Sequence, residues 1–483
     1  MKRASGDGRA AGAGRQRTGR WRLAGRVTAA GAAILALGAV SLAGAGPASA
    51  SPGTPGKAVR ASSTAAAKLE LTVHRVSDAS QQAMDDTFAN SSIDAIANSV
   101  NHHLHAVSGS SCTADERATV PLDPATGSAY CWDAGDAGTQ NWSPQGMTSS
   151  GDADADGMWG TDRVLLSGWA SAPHTTAMGR IAVINDTEGS ANRFGYRWVL
   201  PVIPTSGGTD FARFGSHMGG MVWWGDKLLV TASLDGDAHH NAIYVFSTKH
   251  IYRATTNASW IGHRGSEVSA HGYQYFWPAI GSYSVTSSCT YDDHSADRLP
   301  CFDGLSMDRS QNPYTLVANE WVSSGLTGVT SRIWRYKLAP TSRLMPIAVN
   351  SAGHADPIDV YDTDIVGMQG TLNRTEDGER VVYTADSLGS PGVHGIPWRV
   401  PLPGSGTQTA ANATTSTGGS TGAQHTWAQH SEGMTFMADL DQVWAQTEWA
   451  AGPNGEYPTS GTVLRQRIVF AVPMGDLRSS LTS

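Results

Sequence analysis

Hydrophobic residues beyond Cys131 fall in short runs, rich in β-branched and aromatic side chains, that are separated by Gly, Asp, Asn and Pro. Runs of this length and composition predict short β-strands joined by turns. A glycine motif recurs through this region, with successive copies 63 to 84 residues apart. The five copies are "PQGMT", "GGMVW", "DGLSM", "MQGTL" and "SEGMT", with their glycines at Gly146, Gly220, Gly304, Gly370 and Gly433.

A similar run of strands follows each motif. A polar turn and an aliphatic strand come first, such as "KLLVTAS", and a third strand then alternates apolar with polar residues. Some copies add a fourth strand, such as "YRWVLPVIP" or "GYQYFWPAI". Small antiparallel sheets repeated five times are typical of a β-propeller, because each sheet buries its faces against its neighbours. We predict an all-β fold with a single β-propeller over residues 131–473. It has five blades, or six if 68–76 or 247–289 forms another sheet; a β-sandwich is the alternative.

The chain before and after these repeats has a different composition. Residues 51–67 are rich in Ala, Ser and Pro and predict a linker, whereas 68–130 predict a helical or irregular segment. Five apolar residues there recur at roughly helical spacing and predict one short helix: Met84, Phe88, Ile93, Ile96 and Val100. Residues 474–483 are expected to form a C-terminal tail. The Gly/Thr/Ser tract after Pro403 predicts a surface loop in place of the fourth blade's outer strand.

Residues 1–50 predict export. An arginine-rich start leads into an apolar run, and "ASA" ending at Ala50 offers the small residues that a signal peptidase needs. The alternative is a membrane anchor, but the run is rich in Gly and Ala and closes on a cleavage site. Export makes disulfides the default for the four cysteines. Three pairings are open, and the short separations favour Cys112 with Cys131 and Cys289 with Cys301.

The charge balance excludes some partners. Residues 1–50 hold eight Lys or Arg and one acid, so their removal leaves 26 basic and 41 acidic side chains, a net charge of −15. An acidic protein is a poor match for nucleic acid or an anionic membrane surface. We therefore expect a secreted, extracellular monomer without a nucleic-acid partner and without stable membrane insertion.

Polar residues recur where the first strand of each predicted blade begins and where the second strand ends. These two positions share one face near the propeller axis, which we call the mouth. Carboxylates brought together there must share protons, bind a cation or pair with bases, and histidines could move protons. The alternative is a polar network that plugs the axis with water, or carboxylates paired to Arg309, Arg374 or Arg399. The predicted ligand-binding residues are His217, Asp303, Glu320, Gln369, Asp386, His430, Glu432 and Glu448.

An acidic run, "GDADADG", lies between the first motif and the first aliphatic strand. Carboxylates at alternate positions, with Gly to turn the chain, suit a hard cation such as calcium. The predicted metal ligands are Asp152, Asp154, Asp156 and Asp162, and their calcium would be structural because this hairpin lies opposite the mouth. The alternative is an acidic turn without metal.

This run resembles the calcium hairpins of integrin-type propellers and the start of an EF-hand loop. It departs from both in its closing half, because an EF-hand would have Glu where Arg163 stands and the integrin-type loop would place its last acid before Asp162. The whole chain resembles the secreted β-propeller proteins of high-GC actinobacteria, through its export signal, its Ala/Gly-rich composition and its repeat. That resemblance implies the fold and the location, and it names no substrate.

Three functions follow from the predicted mouth. The first is an extracellular module that binds a small-molecule or glycan ligand, with cations helping. The second is a hydrolase, of glycosidase or calcium-dependent lactonase or esterase type, that uses the same carboxylates as acid, base or nucleophile. The third is a scaffold for another protein. The chain has no G-x-S-x-G, H-E-x-x-H or P-loop motif that would decide among them.

Overall fold

The chain folds mostly into β-strands. A computed structural model describes residues 57–481, apart from 172–177, 234–240, 292, 294, 296–297, 324–325, 327–328, 388–391, 405–406, 410, 413–426 and 453–461. The predicted signal peptide over 1–50 lies outside the described residues.

The segment before the first glycine motif carries short helices and strands. Ser77 and Ser92 each cap a helix, their hydroxyls accepting from the backbone N–H groups of Ser80 and Ala95. The elements are β1 (Lys57–Arg60), α1 (Ser63–Ala67), β2 (Leu71–Arg75), α2 (Asp78–Thr87), β3 (Asn90–Ser91), α3 (Ile93–Ala97), β4 (His102–His103), β5 (His105–Ala106), α4 (Ala114–Ala118), β6 (Ser128–Cys131) and α5 (Ala134–Gly138).

Repeats 1 and 2 begin with the strands that carry, or directly follow, the first two motif glycines. Repeat 1 comprises β7 (Trp142–Ser149), α6 (Ser150–Ala153), β8 (Val164–Ser171), β9 (Gly179–Asn185), β10 (Gly195–Thr205), a 3-10 turn (Ser206–Gly208) and β11 (Asp210–Arg213). Repeat 2 comprises β12 (Met221–Trp224), β13 (Lys227–Ala232), β14 (Ala242–Ser247), β15 (Ile251–Arg253), β16 (Ile261–Arg264), β17 (Glu267–Ala270) and β18 (Tyr275–Ser284).

Repeats 3 to 5 follow the same plan. Repeat 3 comprises β19 (Leu305–Asp308), β20 (Thr315–Asn319), β21 (Ser331–Lys337), β22 (His354–Ala355) and β23 (Pro357–Thr363). Repeat 4 comprises β24 (Met368–Glu376), β25 (Glu379–Asp386), β26 (Ile396–Pro401), β27 (Thr407–Thr409) and β28 (Ala411–Asn412). Repeat 5 comprises β29 (Ser431–Met437), β30 (Gln442–Thr447), β31 (Ala450–Ala451), β32 (Leu464–Arg465) and β33 (Ile468–Pro473), and is followed by α7 (Met474–Ser480).

Within each repeat the main strands form an antiparallel series, in which shorter strands sometimes lie between two paired strands in the sequence. The orders are β7-β8-β9-β10, β12-β13-β14-β18, β19-β20-β21-β23, β24-β25-β26-β28 and β29-β30-β33. The first strand of each repeat contacts the first strand of the next, and β29 of repeat 5 contacts β7 of repeat 1. The innermost strands therefore form a nearly closed ring.

Five of the six apolar cores that the described residues form lie between successive repeats. Each core contains buried side chains from two neighbouring sheets, so every sheet covers its faces with the sheets beside it. The pairs include Val183 with Trp223 for repeats 1 and 2, Val245 with Trp334 for repeats 2 and 3, Ile333 with Trp398 for repeats 3 and 4, Tyr383 with Phe470 for repeats 4 and 5, and Trp444 with Trp169 for repeats 5 and 1.

The motif glycines lie where the innermost strands approach most closely. A Cβ at Gly220 would stand 2.6 Å from the carbonyl carbon of Gly304, and a Cβ at Gly433 would stand 2.7 Å from the α-carbon of Gly146. A Cβ at Gly370 would lie 3.2 Å from the α-carbon of Gly433. Real Cβ atoms do not approach backbone so closely, so only glycine permits this spacing of the strands.

Strands from the N-terminal segment complete the outer edges of distant sheets. β6 pairs antiparallel with β33 of repeat 5, and β1 pairs with β23 of repeat 3. The expected linker over 51–67 is therefore too long, because β1 and α1 fall inside it. The predicted start of the repeats at Cys131 likewise divides β6 from its own sheet. The cause in both cases is pairing with strands more than 300 residues away, which local composition does not report.

The helical pattern of 77–100 is split into α2 and α3, because Asn90 and Ser91 pair with β15 between them. The fourth strands predicted in repeats 1 and 2 are confirmed as β10 and β18. β2 extends the edge of repeat 2, and β16 and β17 form a two-stranded hairpin. The loop predicted after Pro403 includes the short strands β27 and β28.

Both favoured disulfides are confirmed, Cys112–Cys131 and Cys289–Cys301. Cys131 ends β6, which lies between β33 and β5 in the sheet of repeat 5, so the first bridge ties this strand to the segment that precedes it. We expect replacement of Cys112 and Cys131 by serine to lower the free energy of unfolding by about 3 kcal/mol, as for loops of comparable length. Urea denaturation of the oxidised proteins measures this, and an unchanged midpoint would contradict it.

Candidate functional site

Four polar side chains from three repeats meet at the mouth. Gln145 in β7 and Glu432 in β29 directly precede motif glycines, Asp303 directly precedes Gly304, and Glu448 follows β30. We call these four residues the axial cluster. The ring of glycines brings their strands together, so the backbone that precedes each glycine lies beside its counterparts.

Hydrogen bonds join three members of the axial cluster, and the fourth, Asp303, lies within electrostatic range of them. The Gln145 Nε2 donates to Glu448 Oε1 at 3.1 Å, and the carboxyls of Glu448 and Glu432 share a hydrogen bond. The Asp303 carboxyl lies against Gly219, where a Cβ would be 2.4 Å from Asp303 Oδ1. The absence of a side chain at Gly219 therefore makes room for the Asp303 carboxyl.

The two innermost carboxyls of the axial cluster are almost fully buried. Asp303 is 2% exposed and Glu432 is 1% exposed. Burial, together with the charge of Glu448, raises the pKa of Asp303 to about 7. Burial and the neighbouring Glu448 and Asp303 raise the pKa of Glu432 well above its usual range. At neutral pH the cluster therefore holds at least one proton between its carboxyls.

Several oxygens of the axial cluster have no protein donor. Asp303 Oδ2, Glu432 Oε2 and Gln145 Oε1 are buried and accept no hydrogen bond within the part of the chain that the structure describes. Buried polar atoms in folded proteins are normally paired, and an unpaired one is costly. The cluster is thus a set of acceptors that the described protein groups do not satisfy.

Glu320 and Asp386 lie at equivalent strand ends but have different surroundings. Arg298 Nε lies 3.3 Å from Glu320 Oε2, and its Nη2 contacts Oε1. Burial raises the pKa of Glu320, and the guanidinium groups of Arg298 and Arg332 oppose that change. Burial alone raises the pKa of Asp386 to about 7, and its Oδ1 has no donor among the described residues. Neither carboxyl contacts the axial cluster in the described structure.

The arginines expected to pair with the mouth carboxylates lie elsewhere. Arg309 donates to the backbone oxygen of Asp152, and Arg374 and Arg399 lie beside Glu376. These contacts occur where first strands end and second strands begin, which is opposite the mouth. The suggested plug with Arg309, Arg374 and Arg399 is therefore wrong, because the alternating strand directions carry these side chains to the other face.

The remaining predicted residues are buried or half-buried. His430 is 1% exposed, its ring stacks on Trp449 at 3.6 Å with an interplanar angle of 2°, and its backbone oxygen accepts from Glu448 N–H at 2.9 Å. One face of Trp449 is thus covered by His430. His217 and Gln369 are half-buried. Trp321, which follows Glu320, is half-buried as well.

Polar side chains of the second strands support the glycine ring, and sequence reasoning missed this role. The Thr231 hydroxyl accepts from Gly220 N–H at 2.8 Å and donates to the Asp303 carbonyl at 2.9 Å. Gln446 Nε2 donates to the carbonyls of Gln145 and Gly146, both at 2.9 Å. The sequence does show a pattern that could have indicated this role, because each second strand has a Ser, Thr, Asn or Gln near its end. These bonds fix the backbone that carries the axial cluster.

The residues of the predicted calcium hairpin do not form a ligand set. Asp152 Oδ2 accepts from the hydroxyls of Thr148 and Thr435 at 2.7 and 3.0 Å, and Asp162 Oδ2 accepts from Asn98 at 2.9 Å. Asp154 and Asp156 are exposed. Calcium binding by this hairpin stays a prediction. The four aspartates do not converge on one point in this structure. The hairpin does lie opposite the mouth, as the strand directions indicated.

Among the described residues, one group of three side chains of metal-binding type has its ligand atoms within 4.8 Å of one another. Its members are Cys112, Glu116 and Cys131. Both sulfurs are joined in a disulfide, so this group is not a metal site.

No helix in the described part of the chain has the length and apolarity needed to cross a bilayer. No protein-family model matches the chain, and no curated protein is significantly similar to it.

Proposed function

We propose that this chain is an exported five-bladed β-propeller whose mouth binds a small-molecule or glycan ligand through the axial cluster. Five antiparallel groups of strands with adjoining innermost strands, and five cores between successive repeats, support the blade count. The parallel pairing of β10 with β18 additionally joins the outer strands of repeats 1 and 2. The two disulfides are those of an oxidising compartment and support export.

The observation that carries the proposed function is the set of buried acceptors without protein donors. Asp303, Glu432 and Gln145 come from three different repeats, and each has an oxygen that no described group satisfies. A plug built from protein groups would pair these atoms, because each unpaired one costs about 1–3 kcal/mol. Water or a ligand can supply the missing donors. Hydroxyl or ammonium groups of a ligand are the donors that such acceptors recognise.

Binding of the wild-type chain, a mouth variant and a control variant to a glycan array tests the proposal. We expect the wild-type chain to retain a defined group of glycans, and Glu432→Ala to lose that group because the variant removes the buried carboxyl oxygens. Glu188→Ala is the matched control, since Glu188 is exposed and lies outside the mouth. Retention of the same glycans by Glu432→Ala would place the ligand elsewhere, and an array without binding would count against a glycan ligand.

A hydrolase is the second candidate, favoured by the hydrogen bond between Glu432 and Glu448. A carboxyl held protonated next to a second, half-exposed carboxylate is the arrangement needed for general acid and base. Chromogenic glycosides, esters and lactones test this candidate. Turnover that is abolished by both Glu432→Gln and Glu448→Gln supports it, and the absence of turnover of all three substrate classes leaves binding as the function.

A further inference from the structure

A cavity lies away from the axial cluster, on the outer side of repeats 2 and 3. It has a volume of about 590 Å³, within the size range of small-molecule sites. β2 forms one wall with Val73, and the segment after β21 forms the other. Leu338 and Ile347 at its base belong to the core between the two repeats, whereas Leu344 and Met345 are only partly buried against that core.

The wall after β21 is held in place by the rest of the protein. The Trp224 indole N–H donates to the Ala339 carbonyl at 2.8 Å. The Tyr283 hydroxyl donates to the Ile347 carbonyl at 3.0 Å and accepts from its N–H at 2.8 Å. Ala348 N–H donates to the Lys337 carbonyl at 2.8 Å. The groove is therefore preformed, which lowers the entropic cost of binding a ligand there.

The charge of the groove is opposite to that of the chain. Lys337, Arg343 and Arg75 line it, and no acidic side chain does so among the residues that the structure describes. Arg75 pairs with Asp78, but no described carboxylate pairs with Lys337 or Arg343. Three basic side chains around an apolar floor are notable in a protein with formal net charge −8. Val349 beside them is 48% exposed, one of four large exposed apolar residues in the described chain.

We propose that this groove binds a free single-chain fatty acid, with the alkyl chain on the apolar floor and the carboxylate between Lys337 and Arg343. The apolar floor supplies the contact area for the tail, and the two cations, which pair with no described carboxylate, supply the counter-charge for the head. The site is independent of the mouth, so it does not rest on the function proposed there.

Isothermal titration with octanoate, decanoate and dodecanoate, below their micellar concentrations, tests the proposal on the full chain. We expect binding to tighten by up to about fourfold for each added CH₂ until the groove is filled. Decanoate should bind more tightly than decanol, and decyltrimethylammonium should bind least. Equal binding of the anionic and cationic tails, or no binding of any, would overturn the proposal.

Variants locate the site. The double variant Lys337→Gln, Arg343→Gln should weaken decanoate about threefold to tenfold while leaving decanol unchanged. Ala348→Trp should fill the groove and lower the affinity for both decanoate and decanol. If the tryptophan variant does not fold, Leu344→Asp, at a partly buried position, should lower the affinity for decanoate in the same way. Arg213→Gln, an exposed charge on β11, is the control. Unchanged decanoate affinity in the folded variants, or capture by phosphatidylglycerol vesicles without binding of free decanoate, would contradict a fatty-acid groove.

Discussion

Replacing Gly220 with alanine is expected to lower the free energy of unfolding by about 3 kcal/mol or more, the scale at which overpacking a rigid core is costly. The added Cβ would stand 2.3 Å from the Leu305 backbone nitrogen and 2.6 Å from the Asp303 carbonyl oxygen. Both are backbone atoms of the neighbouring innermost strand, and Thr231 holds the Gly220 N–H and the Asp303 carbonyl together. Relief would require the two repeats to move apart.

The midpoint of urea denaturation, followed by tryptophan fluorescence, measures this loss. Gly475→Ala is the matched control, because a Cβ at Gly475 meets no atom within 4 Å and the residue lies in α7. Alanine is the better helix former, so that control should be neutral or slightly more stable. If Gly220→Ala unfolded at the same midpoint as Gly475→Ala, the close approach of the innermost strands would be wrong.

Replacing Asp303 with asparagine is expected to stabilise the protein at alkaline pH and to have little effect near pH 4. Burial raises the pKa of Asp303 from 3.8 to about 7, so the folded protein retains this proton over a range in which the unfolded chain has released it. The wild type therefore loses stability as the pH rises from about 4 to about 7, because over that range the folded state binds more protons. An amide cannot ionise, so the variant escapes that loss, which is about 4 kcal/mol at most.

Urea denaturation at intervals from pH 4 to pH 8 measures the difference between the two proteins. Asp377→Asn is the control, since Asp377 is exposed in a turn with φ of 50°, a conformation that asparagine tolerates. A difference that grows with pH for Asp303→Asn and stays flat for the control is the expected result. A constant difference would mean that the Asp303 carboxyl is already ionised at pH 4 in the folded protein.

Much of the repeat could be predicted from the sequence because it depends on local pattern. The five motif glycines mark the repeat. The aliphatic second strands and the alternating third strands have the hydrophobic patterns that are typical of β-strands. The face shared by Asp303, Glu432 and Glu448 followed from strand direction alone. The same argument also grouped Glu320 and Asp386 with them, and these two carboxyls lie apart from the cluster.

What the sequence could not supply is the set of contacts between distant segments. The four residues of β6 have no pattern that predicts a strand, and only their pairing with β33 makes them one. Arg298 has no periodic relation to Glu320, so its role as the partner of that carboxylate was not foreseen. The reason for glycine at Gly220 and Gly433 was likewise hidden, since it lies in the backbone of the neighbouring repeat and not in the motif itself.

The most direct test of the proposed site is the affinity of Asp303→Asn and of the wild type for one ligand retained on the array, measured by calorimetry at pH 8. The account predicts that the variant is the more stable protein and yet binds at least about tenfold more weakly, because an ionised acceptor makes hydrogen bonds worth about 1.5–3 kcal/mol. Such a result would show that the buried carboxyl opposes stability and serves binding. Equal affinity in the two proteins would contradict a ligand site at the axial cluster.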